Sequence, residues 1–597
     1  MSLLRPILPT RRRPTAEDPG AADAPDTRDE NDKPAEVDDE QGLRRVSGER
    51  CAWTLVWLGV LVGAVELWGS WWSWPPITVL APALVALALV GMLICWCTDT
   101  PRSLLHQGLA ILGALAAVGA PQVATIHNRL YYLTDAAALD HVAARVLVAG
   151  RNPYAGTLGA AASLLKVPSD FWTYTVGGGH IANVSYPAGS FLAYSPAFAL
   201  GFHHQVVDWM DLYAWLASGL LLFFLLPRRI RWVGALIVVT GFFTTIFAGG
   251  ETDAIYIPLA MLALYRWDRF ALGRSAGVVR WMGPIALGIA CTIKQTPWFL
   301  VPLLLIGLFI ESHRAGGRWL RVTTSYLLVV LGVFSVVNLP FIIWGADRWW
   351  HGISTPLTQP LVADGQGLVS LALHGLTGGA DLGLMLWASA AAYLGVLVAF
   401  ALFYDWLKGL LVVLVPIAFF FAPRSLTGYL VDLVPIAIIG LLSVHWPSKR
   451  PAPLKNPRKR RLGHALLTGI GAATAALSSF SLVGAPLALH VTSATIDTSQ
   501  QGFLAVTLSV TNATNASLRP HFMVDVGGPH PSGFWLPKNG GDVVVAPHSS
   551  KTVTLVPPAP TYLPPYASHY VISAYSSPRF LSTTAQTWHN YLPPGTR

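Results

Sequence analysis

Apolar residues recur along the chain in blocks of roughly 20, the length that carries a helix across a hydrocarbon core. Blocks at 52–70, 77–97, 104–125, 209–226, 232–248, 254–268, 281–294, 297–311, 320–343, 382–404, 408–422, 427–445 and 463–486 predict thirteen membrane-spanning helices. The stretch 188–203 is apolar too, but a crossing there breaks the alternation of loops, so it predicts an interfacial or re-entrant helix. Residues 1–50 are rich in Pro, Asp, Glu and Arg and nearly free of aromatics, which predicts a disordered tail. Beyond residue 487 the period shortens. LALHVTSATI, FLAVTLSVTN, HFMVDVG, DVVVAP, KTVTLVPP and YVISAYSS are short alternating runs separated by Gly, Pro, Asn and Ser. They predict an all-β sandwich over 487–597. The expected fold is an α-helical polytopic membrane protein over 51–486, with a tail before it and a β-domain after it.

Composition changes the picture mainly by exclusion. Of 597 residues, 53% are hydrophobic and only 12% charged, and the mean hydropathy is +0.49. A soluble protein carries about 25% charged residues, so a soluble enzyme, a disordered chain and a fibrous repeat are ruled out. The net charge of +9 suggests nucleic acid until its position is considered. Arg228, Arg229 and Arg231, then Arg266, Arg269 and Arg274, then Arg314 and Arg318, and finally the run 449–461 all fall in alternate loops. Arg44, Arg45 and Arg50 precede the first block. By the positive-inside rule these loops are cytoplasmic, giving a multi-pass protein of the plasma membrane. Its N-terminus is expected in the cytoplasm and its C-terminal β-domain outside. The basic run is a topology anchor with some attraction for anionic membrane lipid, and no nucleic-acid partner is expected. Some forty polar residues separate Arg11, Arg12 and Arg13 from the first block, which argues against a cleaved signal peptide. Cys51, Cys95, Cys97 and Cys291 lack metal-ligand spacing, so neither zinc nor disulfides are expected.

Candidate chemistry collects on the expected outer face. The long segment 126–187 holds Asp135, Asp140, His141, Arg145 and Gly150-Arg151-Asn152-Pro153-Tyr154. Later segments add Glu251 and Asp253, then Lys294-Gln295-Thr296-Pro297, then Gln359, Asp364 and Gln366, and finally Arg424, Ser425, Tyr429 and Asp432. Ionisable groups at membrane depth cost several kcal/mol unless they serve a purpose, and one shared cavity accounts for them more simply than many accidents. A carboxylate can deprotonate a hydroxyl while another group is displaced. Lys and Arg together can hold a departing phosphate, and apolar helices suit a lipid tail. Plainer readings stand beside each. Asp135 follows Thr134 at a helix start and reads also as a cap. Asp140 faces elsewhere on the same helix, and Asn152-Pro153-Tyr154 reads as a helix stop and turn. Glu251 and Asp253 sit at a span end in water, Lys294 can snorkel, and His203-His204 suits an interface better than a metal.

The order of these pieces carries a resemblance. Asp135, then Asp140-His-Val-Ala-Ala-Arg145, then Leu147-Val-Ala-Gly-Arg-Asn-Pro-Tyr154, then Ser185-Tyr-Pro-Ala-Gly-Ser-Phe-Leu-Ala-Tyr-Ser-Pro196 resembles the first outer loop of GT-C glycosyltransferases. The pattern is most similar to glycosyltransferase family 87, the polyprenyl-phosphate-mannose-dependent mannosyltransferases. Lys294-Gln-Thr-Pro297 resembles that family's K-x-x-P segment, and Ala422-Pro-Arg-Ser-Leu-Thr-Gly-Tyr429 its late S-P-x-S-W-x-H segment. The resemblance covers roughly 104–445. Tyr-Pro-Ala stands where the family has Tyr-Pro-Pro. The late His is absent, with Tyr429 nearest, so its role does not carry over. Two N-terminal spans and the β-domain lie outside the family pattern.

The resemblance implies a GT-C-like transferase of hexosyltransferase type. Its donor is a polyprenyl-phosphate sugar, its acceptor a hydroxyl on a glycan or glycolipid, and the anomeric centre inverts. No nucleotide sugar, cofactor or tightly bound metal is required. Asp135 maps to the general base, and Lys294 and Arg424 are assigned to the donor phosphate. Asp140, Asn152, Tyr154, Glu251, Asp253, Gln295, Gln359 and Tyr429 are assigned to sugar or acceptor. Mannose is the family's sugar, while a pentose such as arabinofuranose fits these residues equally. A lipid-linked glycan flippase or transporter is the alternative, though such proteins place coupling charges near the midplane and carry internal repeats. A scaffold whose β-domain does the work is a third reading.

Overall fold

The structure, a computed structural model, describes residues 36–71, 74–97, 103–240, 254–273, 277, 279–445, 457–497, 502–525, 532–558 and 569–587. Most of it is helical. Among the described residues seven helices are long and apolar enough to cross a membrane: Gly48–Trp71, Pro75–Cys97, Leu104–Asn128, Val206–Leu225, Thr296–Arg314, Trp319–Thr358 and Leu382–Leu402. Several other expected spans hold shorter helices among the described residues, and 241–248 of the expected span 232–248 lies outside them. Arg231–Val239, Tyr256–Leu264, Val279–Ile293 and Leu433–Ser443 are compact apolar helices, and 408–422 is divided before Val415–Phe420. The helix over the last expected span, Pro457–Ser481, starts with a basic run. Apolar blocks register burial as readily as crossing, and the sequence pattern alone does not separate the two.

Three further differences have local causes. The first long helix starts at Glu36, inside the stretch expected to be disordered, because no proline interrupts the chain between Pro34 and Pro75. Residues 1–35 lie outside the described residues. The stretch 188–203 holds two short helices, Gly189–Leu192 and Ser195–Ala199, bounded by Pro187 and by the turn at Gly201, so neither can cross. The helix expected to end at 343 continues to Thr358 past a break at Gly345.

Packing in the first helices is close. Trp57 is buried against Gly91, and its indole N–H donates to Nε2 of buried His106 at 3.0 Å. This satisfies the polar edge of a large apolar ring.

Among the described residues ten strands follow the chain: β1 (Asp364–Gly365), β2 (Gly379–Asp381), β3 (Arg424–Ser425), β4 (Leu487–Asp497), β5 (Gly502–Asn512), β6 (His521–Asp525), β7 (Leu536–Pro537), β8 (Ser550–Val556), β9 (His569–Ser576) and β10 (Phe580–Thr587). One sheet has the order β4-β5-β8-β7 and another β2-β10-β9-β6, with antiparallel neighbours throughout. Val506, Leu508 and Val510 are buried and alternate with Thr507, Ser509 and Thr511, the period-two pattern of a strand with one covered face. They share a core with Phe522, Val524, Tyr570 and Ile572 of the other sheet. Each such burial contributes about 1.5–3 kcal/mol.

Past the expected boundary near 486 the chain pairs back onto the helical part, and the helices from Ala52 onward and the β region fall in one compact unit, Ala52–Arg597. Strand β2 shows why: it belongs to the loop before the helix Leu382–Leu402, yet pairs with β10, the last strand. Asp381 then caps that helix, its carboxylate accepting from the N–H groups of Gly383 and Leu384 at 2.8 and 3.1 Å.

Candidate functional site

The helix Asp135–Val148 is capped by Thr134, whose hydroxyl accepts from the Ala137 N–H at 3.3 Å. The cap reading of Asp135 is thereby corrected: Thr134 fills that position and leaves the Asp135 carboxylate for another partner. That partner is Thr173, which donates its backbone N–H at 2.6 Å and its hydroxyl at 3.2 Å. Asp135 is only 5% exposed. Burial pushes its carboxyl above the usual range, while the Thr173 donors and the charge of Arg424 pull the other way. Tyr174, next along, is pushed up to about 12 by burial and by Asp170 and Asp135.

Arg424 is placed by a minimal pairing. Strands β1 and β3 run parallel, with Asp364 opposite Arg424 and Gly365 opposite Ser425. Gly365 has φ +104° and its backbone crowds Ser425, so no side chain fits there. The Arg424 guanidinium reaches Asp364 at 3.7 Å and donates to the Val362 carbonyl at 3.1 Å. The neighbouring Ala363 carbonyl accepts from the Tyr575 hydroxyl at 3.4 Å, so the β region touches this corner. The Tyr575 hydroxyl is pushed up by burial and by Asp364, with Arg424 opposing.

Lys294 follows the helix Val279–Ile293 and is 7% exposed. Its ammonium lies 5.5 Å from the Tyr186 ring centroid and 5.1 Å from that of Tyr429, an aromatic clamp for a cation. This replaces the snorkelling reading, because the charge points inward to two rings. Tyr429 also meets Phe419 at 5.8 Å.

The clamp is braced from behind. Tyr154 donates its hydroxyl to the Tyr186 carbonyl at 2.7 Å, and its own N–H bonds Oδ1 of Asn152 at 2.9 Å. Gln295 donates both amide hydrogens, to the carbonyls of Ser185 at 2.9 Å and Ile353 at 3.0 Å. Asn338 accepts from the Ala188 N–H and the Trp349 indole, each at 3.0 Å. The segment 172–190 is therefore common to both charges: Thr173 holds Asp135 at one end, and Tyr186 faces Lys294 at the other.

The remaining expected residues divide. Asp140 is 1% exposed and accepts from the Ser190 hydroxyl at 3.0 Å, which ties the Asp135 helix to the short helix Gly189–Leu192. Tyr154 and Gln295 orient backbone instead of facing open space. Asn152 shapes the turn, and its Nδ2 is buried with no hydrogen-bond partner among the described residues. Gln359 caps the C-terminus of the long helix and is half-buried. Glu251 and Asp253 lie outside the described residues. Thr173, Tyr186, Ser190, Asn338 and Tyr575 are supports that the sequence pattern does not single out, although Tyr186 and Ser190 stand inside the Ser185–Pro196 run that carried the resemblance. Among the described residues no three His, Cys, Asp or Glu side chains converge as a metal site.

No protein-family model matches the chain, and no curated protein or solved structure matches it.

Proposed function

We propose that the chain is a membrane-embedded glycosyltransferase of GT-C type that moves a sugar from a polyprenyl phosphate to a hydroxyl of a glycan or glycolipid. The observation that carries this reading is a buried carboxylate, Asp135, fixed by two Thr173 donors within the field of Arg424. In the proposed step the ionised Asp135 takes the proton of the acceptor hydroxyl as that oxygen attacks the anomeric carbon. The bond from that carbon to the phosphate oxygen breaks, its electron pair stays with the phosphate, and the configuration inverts. Lys294 and Arg424 stabilise the negative charge that develops there. The wider reading has thirteen crossings of a plasma membrane, a cytoplasmic N-terminus and a β-sandwich on the outer side. It is supported by the seven long apolar helices and by the two sheets sharing one core.

The test is sugar transfer from a synthetic polyprenyl-phosphate donor by the purified full chain, offered mannose and arabinofuranose donors in parallel. Asp135→Asn is expected to lower the rate by about 10²–10⁴-fold while the protein stays monodisperse. Transfer by the variant at the wild-type rate sinks the mechanism. Lack of transfer by the wild type, with movement of intact lipid-linked sugar across vesicles, favours the flippase alternative.

A further inference from the structure

At the far end of the helix Val279–Ile293 from Lys294, roughly 22 Å away along its axis, lies a second concentration of positive charge. Arg280, Trp281, Arg318, Arg321, Val322 and Ser325 line a cavity of about 390 Å³. The volume suits a small ligand, and among the described residues no carboxylate lines it. Ion pairs elsewhere take up other cations: Arg314 holds Asp405, Lys408 holds Glu311, and Arg129 holds Asp208. Among the described residues Arg280, Arg318 and Arg321 have no such partner.

Arg280 separates this cluster from an ordinary solvated basic loop. Its guanidinium carbon lies 4.8 Å from the Phe270 ring and 5.3 Å from the Trp281 ring. Stacking fixes the plane of the fork while leaving its edges for hydrogen bonds. Its Nε is buried without a hydrogen-bond partner among the described residues, so the donors it can offer a ligand are its terminal NH groups. Arg318 and Arg321 are exposed and flank the start of the helix Trp319–Thr358, whose N-terminal dipole adds positive potential. Three arginines, one of them immobilised, match the planar, multi-oxygen geometry of phosphate. Trp281 and Val322 supply apolar surface beside it.

The geometry points to a phosphate-binding site in this cavity, taking the phosphomonoester headgroup of an anionic lipid or a free phosphate ion. It is remote from Asp135 and independent of the sugar-transfer reading. On the positive-inside pattern it lies at the cytoplasmic end of the bundle.

The experiment is native mass spectrometry of the detergent-purified full chain titrated with phosphatidic acid, with phosphatidylcholine as the zwitterionic control. One phosphatidic acid is expected to be retained in preference to phosphatidylcholine. Affinity should fall about fivefold per arginine removed, and on the order of 100-fold in R280Q/R318Q/R321Q. The control R228Q/R229Q removes charge elsewhere and should bind as wild type. Displacement of the lipid by millimolar inorganic phosphate identifies the free ion as a ligand of the same site, and resistance to it identifies the lipid. Where the triple variant loses monodispersity, exposed Arg321→Gln alone decides, with the fivefold loss expected. Equal retention of the two lipids, undiminished binding by the triple variant, or equal loss in the control overturns the proposal.

Discussion

Asp135 and its two donors carry the proposed chemistry at the scale of single residues. Burial raises its carboxyl above the ordinary value near 3.8, and a general base works only when ionised. The rate of transfer should therefore rise with pH through an acid limb placed above that value. Arg424 and Thr173 both favour the ionised form, so removing either moves the limb to higher pH. Arg424→Gln is expected to shift it upward and also to lower the plateau, because the leaving phosphate loses a cation. Thr173→Val keeps the backbone donor but deletes the hydroxyl bond, so its limb should move up by less, with a loss of about 1 kcal/mol in transition-state stabilisation. A pH–rate profile for each variant checks both, and a limb that moves down in either contradicts the role assigned to Asp135. The carboxylate was legible in the chain, because an aspartate after Thr134 heads an alanine-rich helix. Its partner was not: Thr173 is one of many threonines, and only the folded segment 172–190 delivers it.

Glycine and short strands decide, at the scale of elements, whether the clamp around Lys294 can close. A Cβ at Gly352 would stand 2.7 Å from the Val184 carbonyl and 2.8 Å from the Tyr154 ring. Gly352→Ala is therefore expected to cost about 1–3 kcal/mol and, by displacing Tyr154, to loosen the carbonyl that positions Tyr186. Thermal unfolding with donor-binding measurements would show both effects, and unchanged donor affinity would detach Tyr154 from the clamp. Apolar blocks made the long helices legible, since a run of about twenty apolar residues matches the thickness of the hydrocarbon core. The block 254–268 reads as a crossing by composition alone, yet it holds the nine-residue helix Tyr256–Leu264, because composition does not fix where a helix ends. Strands β1 and β3 are two residues each, below any periodic signal, yet they set Arg424 opposite Asp364.

The β region is fastened to the helical part across the whole molecule, and this was not legible in the sequence, where 487–597 reads as a separate domain. Besides the β2–β10 ladder, Thr583 donates to the Ala372 carbonyl at 2.9 Å and Arg579 to the Thr358 carbonyl at 3.0 Å. His521 packs against Gly178 in the segment that holds Asp135. Alternation within strands reveals which face is covered, but not that a tripeptide from a distant loop completes the sheet. Ending the chain at residue 486 should therefore cost more than a detachable module would. Size-exclusion chromatography is expected to show an aggregated or unstable product without transfer activity, whereas a monodisperse, active truncation would make the β region dispensable. The same ladder has a consequence for biogenesis. The tripeptide at 379–381 leaves the ribosome about 200 residues before its partner at 580–582, so the loop bearing Asp364 waits with an open edge until that strand has been made. A prematurely terminated chain cannot close that edge, and a cell's quality-control proteases would find it there.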